Sequence, residues 1–466
     1  MNIKKLFSAF IAAAILSTIP MTGMLPEPLG LTANAVEYDE YGLNISNNRL
    51  LSVSPDVTDV EIPDGVKYIS ADAFSRCKKL GYIYIPASVI SISADFTSCS
   101  KLEYIFVDPG NEKYSSDGGV LFNKDGTELI YYPMAIEESI YYIPYGVEKI
   151  RANAFYNCKN LTDVVISDSV KTVNGFTNCT YLKNITISES VTAINSDAFL
   201  GCKSIINIEV ASDNTKFSSV DGVLFNKDKT KLIQYTVGKS DVSYTIPKSV
   251  TEIGDNAFSG CYELESIGLP GGLQIIGDSA FSDCAGLRSL PLPGGVTAIG
   301  NNAFSGCTLI KSVDFPNDMR TIGSGAFSKC IDLSSVTFSE GITEIGDNAF
   351  TGCRSLKSVT IPGDPKLGES VFEKGTAICG KKGSGVEKYV QDNRASLNYT
   401  FSALASALKG DVNNDDIVNI NDVLSMLNHI VGNTMLTGSA LENAELNDDG
   451  KIDVLDVILV LEICVS

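Results

Sequence analysis

The chain contains no tryptophan and one histidine, His429. Without Trp, any flat aromatic platform has to be built from the 19 Tyr and 20 Phe. A single His removes imidazole-based proton transfer from everything that precedes it. Positive charge is scarce, with 36 Lys and Arg against 56 Asp and Glu for a net charge of −20. That balance argues against nucleic acid or an anionic membrane as partner. None of the 12 Cys forms a Cys-x-x-Cys pair, so a zinc site has no support. After residue 35 no apolar run reaches membrane-spanning length, and no membrane span is expected in the mature chain.

What the sequence has is repetition. Residues 250–364 write a 23-residue unit five times, beginning VTEIGDNAFSGCYELESIGLPGG, and Cys261, Cys284, Cys307, Cys330 and Cys353 share one register. Such a period marks a supersecondary unit stacked on copies of itself. The apolar positions of the first copy are Val250, Ile253, Ala257, Phe258, Cys261, Leu264, Ile267 and Leu269. Ile267 and Leu269 flank Gly268, the alternation of a short strand with one face buried. Gly254 and Pro270-Gly271-Gly272 supply turns. The AFSGC segment predicts a tight helical or 3₁₀ turn. One coil cannot pay its own ordering entropy, so neighbours must cover it, and the fold class is a mainly β solenoid.

Looser copies place Cys77, Cys99, Cys158, Cys179 and Cys202 at the same register, giving ten clear coils. A side chain recurring once per coil reads as a small buried hydrophobe, so these Cys are expected as free thiols. Cys99 to Cys158 and Cys202 to Cys261 are longer gaps holding DGGVLFNKDGTELIYYP (117–133) and VDGVLFNKDKTKLIQYT (220–236). Each reads as a hairpin insertion, and the repeat of coils plus hairpin at a fixed offset reads as a duplicated block.

Residues 1–35 carry Lys4 and Lys5, an apolar run from Leu6 through Ile19 and Ala33-Asn34-Ala35, the pattern of a secretory signal with cleavage expected after Ala35. The expected location is secreted, extracellular or in a cell-surface complex.

The N-A-F-x-x-C core, the I-P strand end and the D-G-V-L-F insertion resemble the bacterial BspA-like leucine-rich repeats over about 57–404. The resemblance implies a solenoid used for adhesion and protein contact, and no chemistry. We divide the chain into 1–35 signal, 36–375 solenoid, 376–404 cap, 405–409 linker and 410–466 C-terminal domain.

In that last domain, Asp411, Asn413, Asp415, Asn419 and Asp422 occupy loop positions 1, 3, 5, 9 and 12, with the Ile417 carbonyl at position 7. This spacing wraps a hard cation in oxygens. The arrangement recurs from Glu445 through Asn447, Asp449, Lys451, Asp453 and Asp456, and an apolar helix follows each loop. Together they resemble a type I dockerin. The resemblance implies two calcium ions on these residues, and docking to a cohesin module of a scaffoldin in polysaccharide-degrading complexes. Two departures are Asp416 where the family has Gly and Glu445 where it has Asp. The expected cohesin contacts are Ile420, Asn421, Leu427 and Asn428, with Val454, Leu455, Leu461 and Glu462.

On the solenoid, strand residues flanking the inward pair point away from the core. They are small or polar in the C-terminal coils, but towards the N-terminus they become Tyr82, Tyr84, Tyr104, Phe106 and Tyr142. Two readings stand for this strip: a face for an unknown protein or plant-cell-wall glycan, or aromatic pairs that merely stabilise the sheet. With 57–404 assigned to coils, insertions and cap, no stretch remains for a catalytic domain. The expectation is a non-catalytic binding or adhesion subunit; the alternative is a dockerin-bearing hydrolase acting on O-glycosyl bonds.

Overall fold

A computed structural model describes residues 36–404, 409–413, 418–433, 435–436, 439–447 and 449–465. The expected signal and nearly all of the expected linker lie outside the described residues. The rest forms a β-solenoid of about 15 turns, with a few helices near the C-terminus. The extra turns beyond the ten expected come from coils that lack the Cys motif and from the insertions.

Each coil has three sides. On the first, the expected strands stack in parallel: Ser312–Asp314 pairs with Ser335–Thr337, and Ser358–Ile361 pairs with Ala377–Gly380. The inward residues Ile267, Val313 and Val359 are buried while their neighbours face out. The second side is a strand that sequence reading missed. Glu252–Ile253, Ile275–Ile276, Ala298–Ile299, Thr321–Ile322, Glu344–Ile345 and Lys366–Leu367 form a parallel ladder within a nine-stranded sheet. A two-residue strand buries one side chain, which leaves no alternation to read. The glycine that follows is required by close stacking. A Cβ on Gly277 would lie 2.5 Å from Asp255 Oδ1 and 2.8 Å from its backbone nitrogen.

The third side corrects the expected helical or 3₁₀ turn. Asn256 and Gly260 have positive φ (59° and 78°) on either side of Phe258. The N–H groups of Asn256, Phe258 and Gly260 then reach the carbonyls of Asp278, Ala280 and Ser282 in the next coil at 2.7–2.9 Å. The N–H groups of Ser259 and Cys261 turn inward to Asn256 and Phe258 of their own coil. A segment that looks like a helix turn by composition is therefore a third intercoil ladder, made possible by left-handed residues.

Inside, Phe258, Phe281, Phe304, Phe327, Phe350 and Phe372 stack with ring centroids 4.7–5.5 Å apart. All twelve Cys are free and the ten repeat thiols are buried. The thiols of Cys284, Cys307, Cys330 and Cys353 donate to the carbonyls of Phe258, Phe281, Phe304 and Phe327 at 3.1–3.2 Å, each one coil back. A small apolar side chain with a weak donor suits a core position beside an inward carbonyl.

Each insertion has one strand more than the expected hairpin. Tyr114–Asp117, Val120–Asn123 and Glu128–Tyr131 form an antiparallel meander, repeated at Phe217–Val220, Val223–Asn226 and Lys231–Gln234. A buried Asn holds each one. Asn111 Nδ2 donates to the carbonyls of Pro86 and Val89, and Asn214 Nδ2 to those of Ser188 and Val191. The cap is helix α1, Gly385–Leu397, which buries Val386 and Val390, followed by Thr400–Ala403 added in parallel to Ala377–Gly380.

Candidate functional site

The C-terminal region is built from α2 (Ile420–Ile430), α3 (Ser439–Ala444) and α4 (Val454–Val465), each long helix preceded by a loop. Asp422 is fully buried. Its Oδ1 accepts the N–H groups of Val412 and Asn413 at 2.7 and 2.9 Å, and its Oδ2 accepts that of Asn419 at 2.9 Å. Asp456, also fully buried, repeats this with Leu446, Asn447 and Asp453 at 2.8, 3.3 and 3.0 Å. The carboxylate at position 12 thus folds each loop back onto its helix. At position 9, Asn419 and Asp453 accept the N–H groups of Asn421 and Leu455 and start the helices.

In the second loop, Glu445 Oε1 accepts the N–H groups of Asp449 and Gly450, Asn447 accepts that of Asp449, and Asp449 accepts that of Lys451. Glu445 therefore reaches the loop despite its extra methylene. Asp415 and Ile417 lie outside the described residues. Asp411 is buried and Asn413 exposed.

The donor set fits a hard cation. Every donor named is oxygen, and a carboxylate has lone pairs to spare beyond two or three N–H bonds. Among the described residues no Lys or Arg pairs with Asp422 or Asp456. Buried carboxylates in that position call for positive charge from elsewhere. A bound ion would supply it and tie each loop to its helix. His429 has no share in this: its Nδ1 accepts the Leu436 N–H at 3.2 Å, closing the turn after α2.

The helices bury little. Val412, Val423, Met426, Ala444, Val457 and Val460 make the core. Ile420, Leu424, Leu427 and Val431 form one exposed apolar row, and Val454, Ile458, Leu461 and Val465 another, with Leu455 exposed beside the second. Asn421 and Glu462 are also exposed, and Asn428 is half-buried.

On the solenoid, Tyr82–Ile85 pairs with Tyr104–Val107, setting Tyr82 opposite Tyr104 and Tyr84 opposite Phe106. The rings stack at 6.4 and 5.8 Å. Tyr104 and Phe106 are 43% and 37% exposed, and Tyr82 and Tyr84 are half-buried. The Tyr84 hydroxyl donates to Asp108 at 2.7 Å; burial first, then this bond, push its pKa up to about 12. Tyr142 is not part of the group. It belongs to Ile140–Tyr142, at the edge of a separate sheet. The first meander takes the edge of Tyr104–Val107, with Ile105 N–H on the Gly119 carbonyl and Val107 N–H on Ser116 Oγ. The strip ends there, two coils wide.

A model of the BspA type leucine rich repeat region matches residues 44–124, 136–220 and 235–357, in six copies, more than half of the chain. The protein belongs to the BspA-type leucine-rich-repeat family. The type I dockerin domain matches residues 409–462, so the C-terminal region is a dockerin. Among solved structures, a leucine rich cell surface protein from Faecalibacterium prausnitzii A2-165 is 22% identical, with a TM-score of 0.51 over 74% of this chain and 95% of that one. The likeness is one of fold. The pneumococcal vaccine antigen PcpA is 22% identical at a TM-score of 0.49, covering 79% of this chain and 98% of its own. A leucine-rich repeat protein from Bacteroides ovatus ATCC 8483 is 26% identical at 0.36, covering 74% and 97%. No curated protein matches the chain.

Within the dockerin, sequence reading placed Leu424 and Ile458 on the apolar helices but not among the expected cohesin contacts, and passed over Asn443. The first two continue the exposed rows at helical spacing from Ile420 and Val454. Asn443 is buried, donates Nδ2 to the Asp411 carbonyl at 2.7 Å and accepts the Gly410 N–H through its own carbonyl. It ties the first loop to α3, and nothing in the loop spacing points to it. In the leucine-rich-repeat and dockerin parts alike, no catalytic domain is evident. No described helix is long and apolar enough to cross a membrane.

Proposed function

We propose that this protein is an exported, non-catalytic subunit that docks through its calcium-loaded dockerin to a cohesin module of a scaffoldin and displays the solenoid to a binding partner. The observation that carries the reading is the pair of exposed apolar rows on α2 and α4, each set beside a loop of oxygen donors. Side chains of this kind, contiguous and uncovered, mark a protein contact. Two calcium ions, one per loop, are held by Asp411, Asn413, Asp415, the Ile417 carbonyl, Asn419 and Asp422, and by Glu445, Asn447, Asp449, the Lys451 carbonyl, Asp453 and Asp456. Cohesin contacts are Ile420, Asn421, Leu427, Asn428, Val454, Leu455, Leu461 and Glu462, joined by Leu424 and Ile458.

On the solenoid, Tyr82, Tyr84, Tyr104 and Phe106 form the candidate face for a protein or a plant-cell-wall glycan, with Tyr142 a separate exposed ring. Export rests on the leader-like residues 1–35. No observation favours a hydrolase. The test is cohesin binding by the full chain with calcium and with chelator. Binding that survives chelation, or survives Asp at Ile420 and Val454 together, overturns the reading.

A further inference from the structure

The two insertions share a backbone and differ at one point in what fills it. Tyr132 N–H bonds the Ala154 carbonyl and Ala135 N–H that of Leu102; Tyr235 and Gly238 make the same bonds to Ala257 and Ile205. In the first block Tyr131 fills the junction with the preceding coil. It is 3% exposed, its ring lies 5.0 Å from Phe96, and its hydroxyl donates to the Phe96 carbonyl. Met134 is buried nearby. In the second block Gln234 and Val237 stand in their places. The ring and the thioether are gone, and a cleft of about 460 Å³ opens between the Cys202 and Cys261 coils.

The lining is a built polar site. Gln234 is 7% exposed and gives Nε2 to the Tyr235 carbonyl at 2.9 Å. Asn178, Asn256, Lys203 and Asp283 also line the cleft, with Tyr262, 55% exposed, among them. Asn256 Nδ2 bridges to the Ser196 carbonyl across the insertion at 3.2 Å. Asn178, Asn256 and Asp283 all have the left-handed φ that recurs at their register positions in other coils, such as Asn157, Asn302 and Lys329.

One ammonium and one carboxylate offset each other, so the cleft favours neither an anion nor a cation. A carboxamide carries two N–H groups and an acceptor oxygen, so even with one N–H of Gln234 and one of Asn256 engaged the three carboxamides keep both donors and acceptors, which matches hydroxyl groups that are both. An exposed tyrosine offers its ring face to C–H groups and its hydroxyl to polar ones. The volume falls within the roughly 300–1,000 Å³ of small-ligand sites. We propose that this cleft binds a neutral sugar residue. The site goes beyond the docking reading and is separate from the aromatic face, so its failure would leave both untouched.

The test is calorimetry on the full calcium-loaded chain with four probes: the methyl glycosides of glucose, xylose, galactose and mannose. At least one is expected to bind. Gln234→Tyr restores the filler of the first block and should weaken that binding by about tenfold or more. Tyr262→Ala changes an exposed ring, leaves the fold alone, and should weaken it several-fold. If Gln234→Tyr disturbs folding, Tyr262→Ala together with Asn256→Ala decides. Binding of none of the four probes overturns the proposal. So does binding that all these variants leave unchanged, or binding lost in Tyr104→Ser instead.

Discussion

Phe281 and Asp422 are both fully buried, and they are held in opposite ways. Phe281 lies between Phe258 and Phe304, copies of itself 4.7 and 5.2 Å away, and each of those has its own neighbour. Asp422 has no such company: it alone collects three N–H groups of its loop, over a core of six apolar side chains. The solenoid spreads its stability over many equivalent contacts, so damage should stay local. The dockerin concentrates its stability in two carboxylates and whatever charge answers them, so damage there should be total.

The largest expected effect follows from the second half of that comparison. Asp422→Ala strands the buried Val412 N–H at about 1–3 kcal/mol and removes the partner of two part-buried ones, Asn413 and Asn419, enough to unfold so small a unit. Heating the full chain with calcium should show two transitions, of which the variant, or chelator alone, removes only the dockerin's. A solenoid transition that moves as well would break the comparison.

Cys307→Asp is next. It buries an uncompensated charge against the Phe281 carbonyl, at about 3–5 kcal/mol, and should melt the coils around it. Cys307→Ala removes one sulfur and should cost about 1–2 kcal/mol in a denaturant titration. Equal costs would mean that the site is wet.

Alkaline pH sharpens the same point without mutation. Burial raises the thiols of Cys77, Cys158, Cys202, Cys261 and Cys307, and that of Cys99 to about 12. A pKa raised in the folded state stabilises fully below the unfolded value, near 8.5 for a thiol, and is lost as pH climbs through the folded one. Solenoid stability should therefore fall between about pH 8.5 and 12, tracked by circular dichroism.

The smallest effect separates the two readings of the aromatic face. Tyr104→Ser should cost about 0.5–1.5 kcal/mol if the stacked pairs add only their ring contact. A loss of several kcal/mol in urea melts would mark the face as structural.

How much of this could be read from the chain depended on whether a position repeated visibly. The inward strand residues and the Cys register were legible because five copies agree. The two-residue strand at Glu252–Ile253 was not, since one buried side chain carries no period. The third ladder was hidden because Asn256 in a left-handed conformation leaves the same letters as a helix turn. The two loops at 411–422 and 445–456 could be read from the spacing of their oxygen side chains together with the dockerin resemblance, whereas the exposure of Leu424 and Ile458 could not: an apolar residue on a helix faces in or out according to what covers it. Tyr142 was joined to the strip on the assumption that the face runs through the insertion. The meander's hold on Ile105 and Val107 ends it.

The column of thiols also makes the solenoid its own clock. Each sulfur is sealed by the coils above and below, so an alkylating reagent must wait for that coil to open. Reaction rates read cysteine by cysteine along the chain would then chart how often each turn parts from its neighbours, in a molecule whose repeats are otherwise too alike to tell apart.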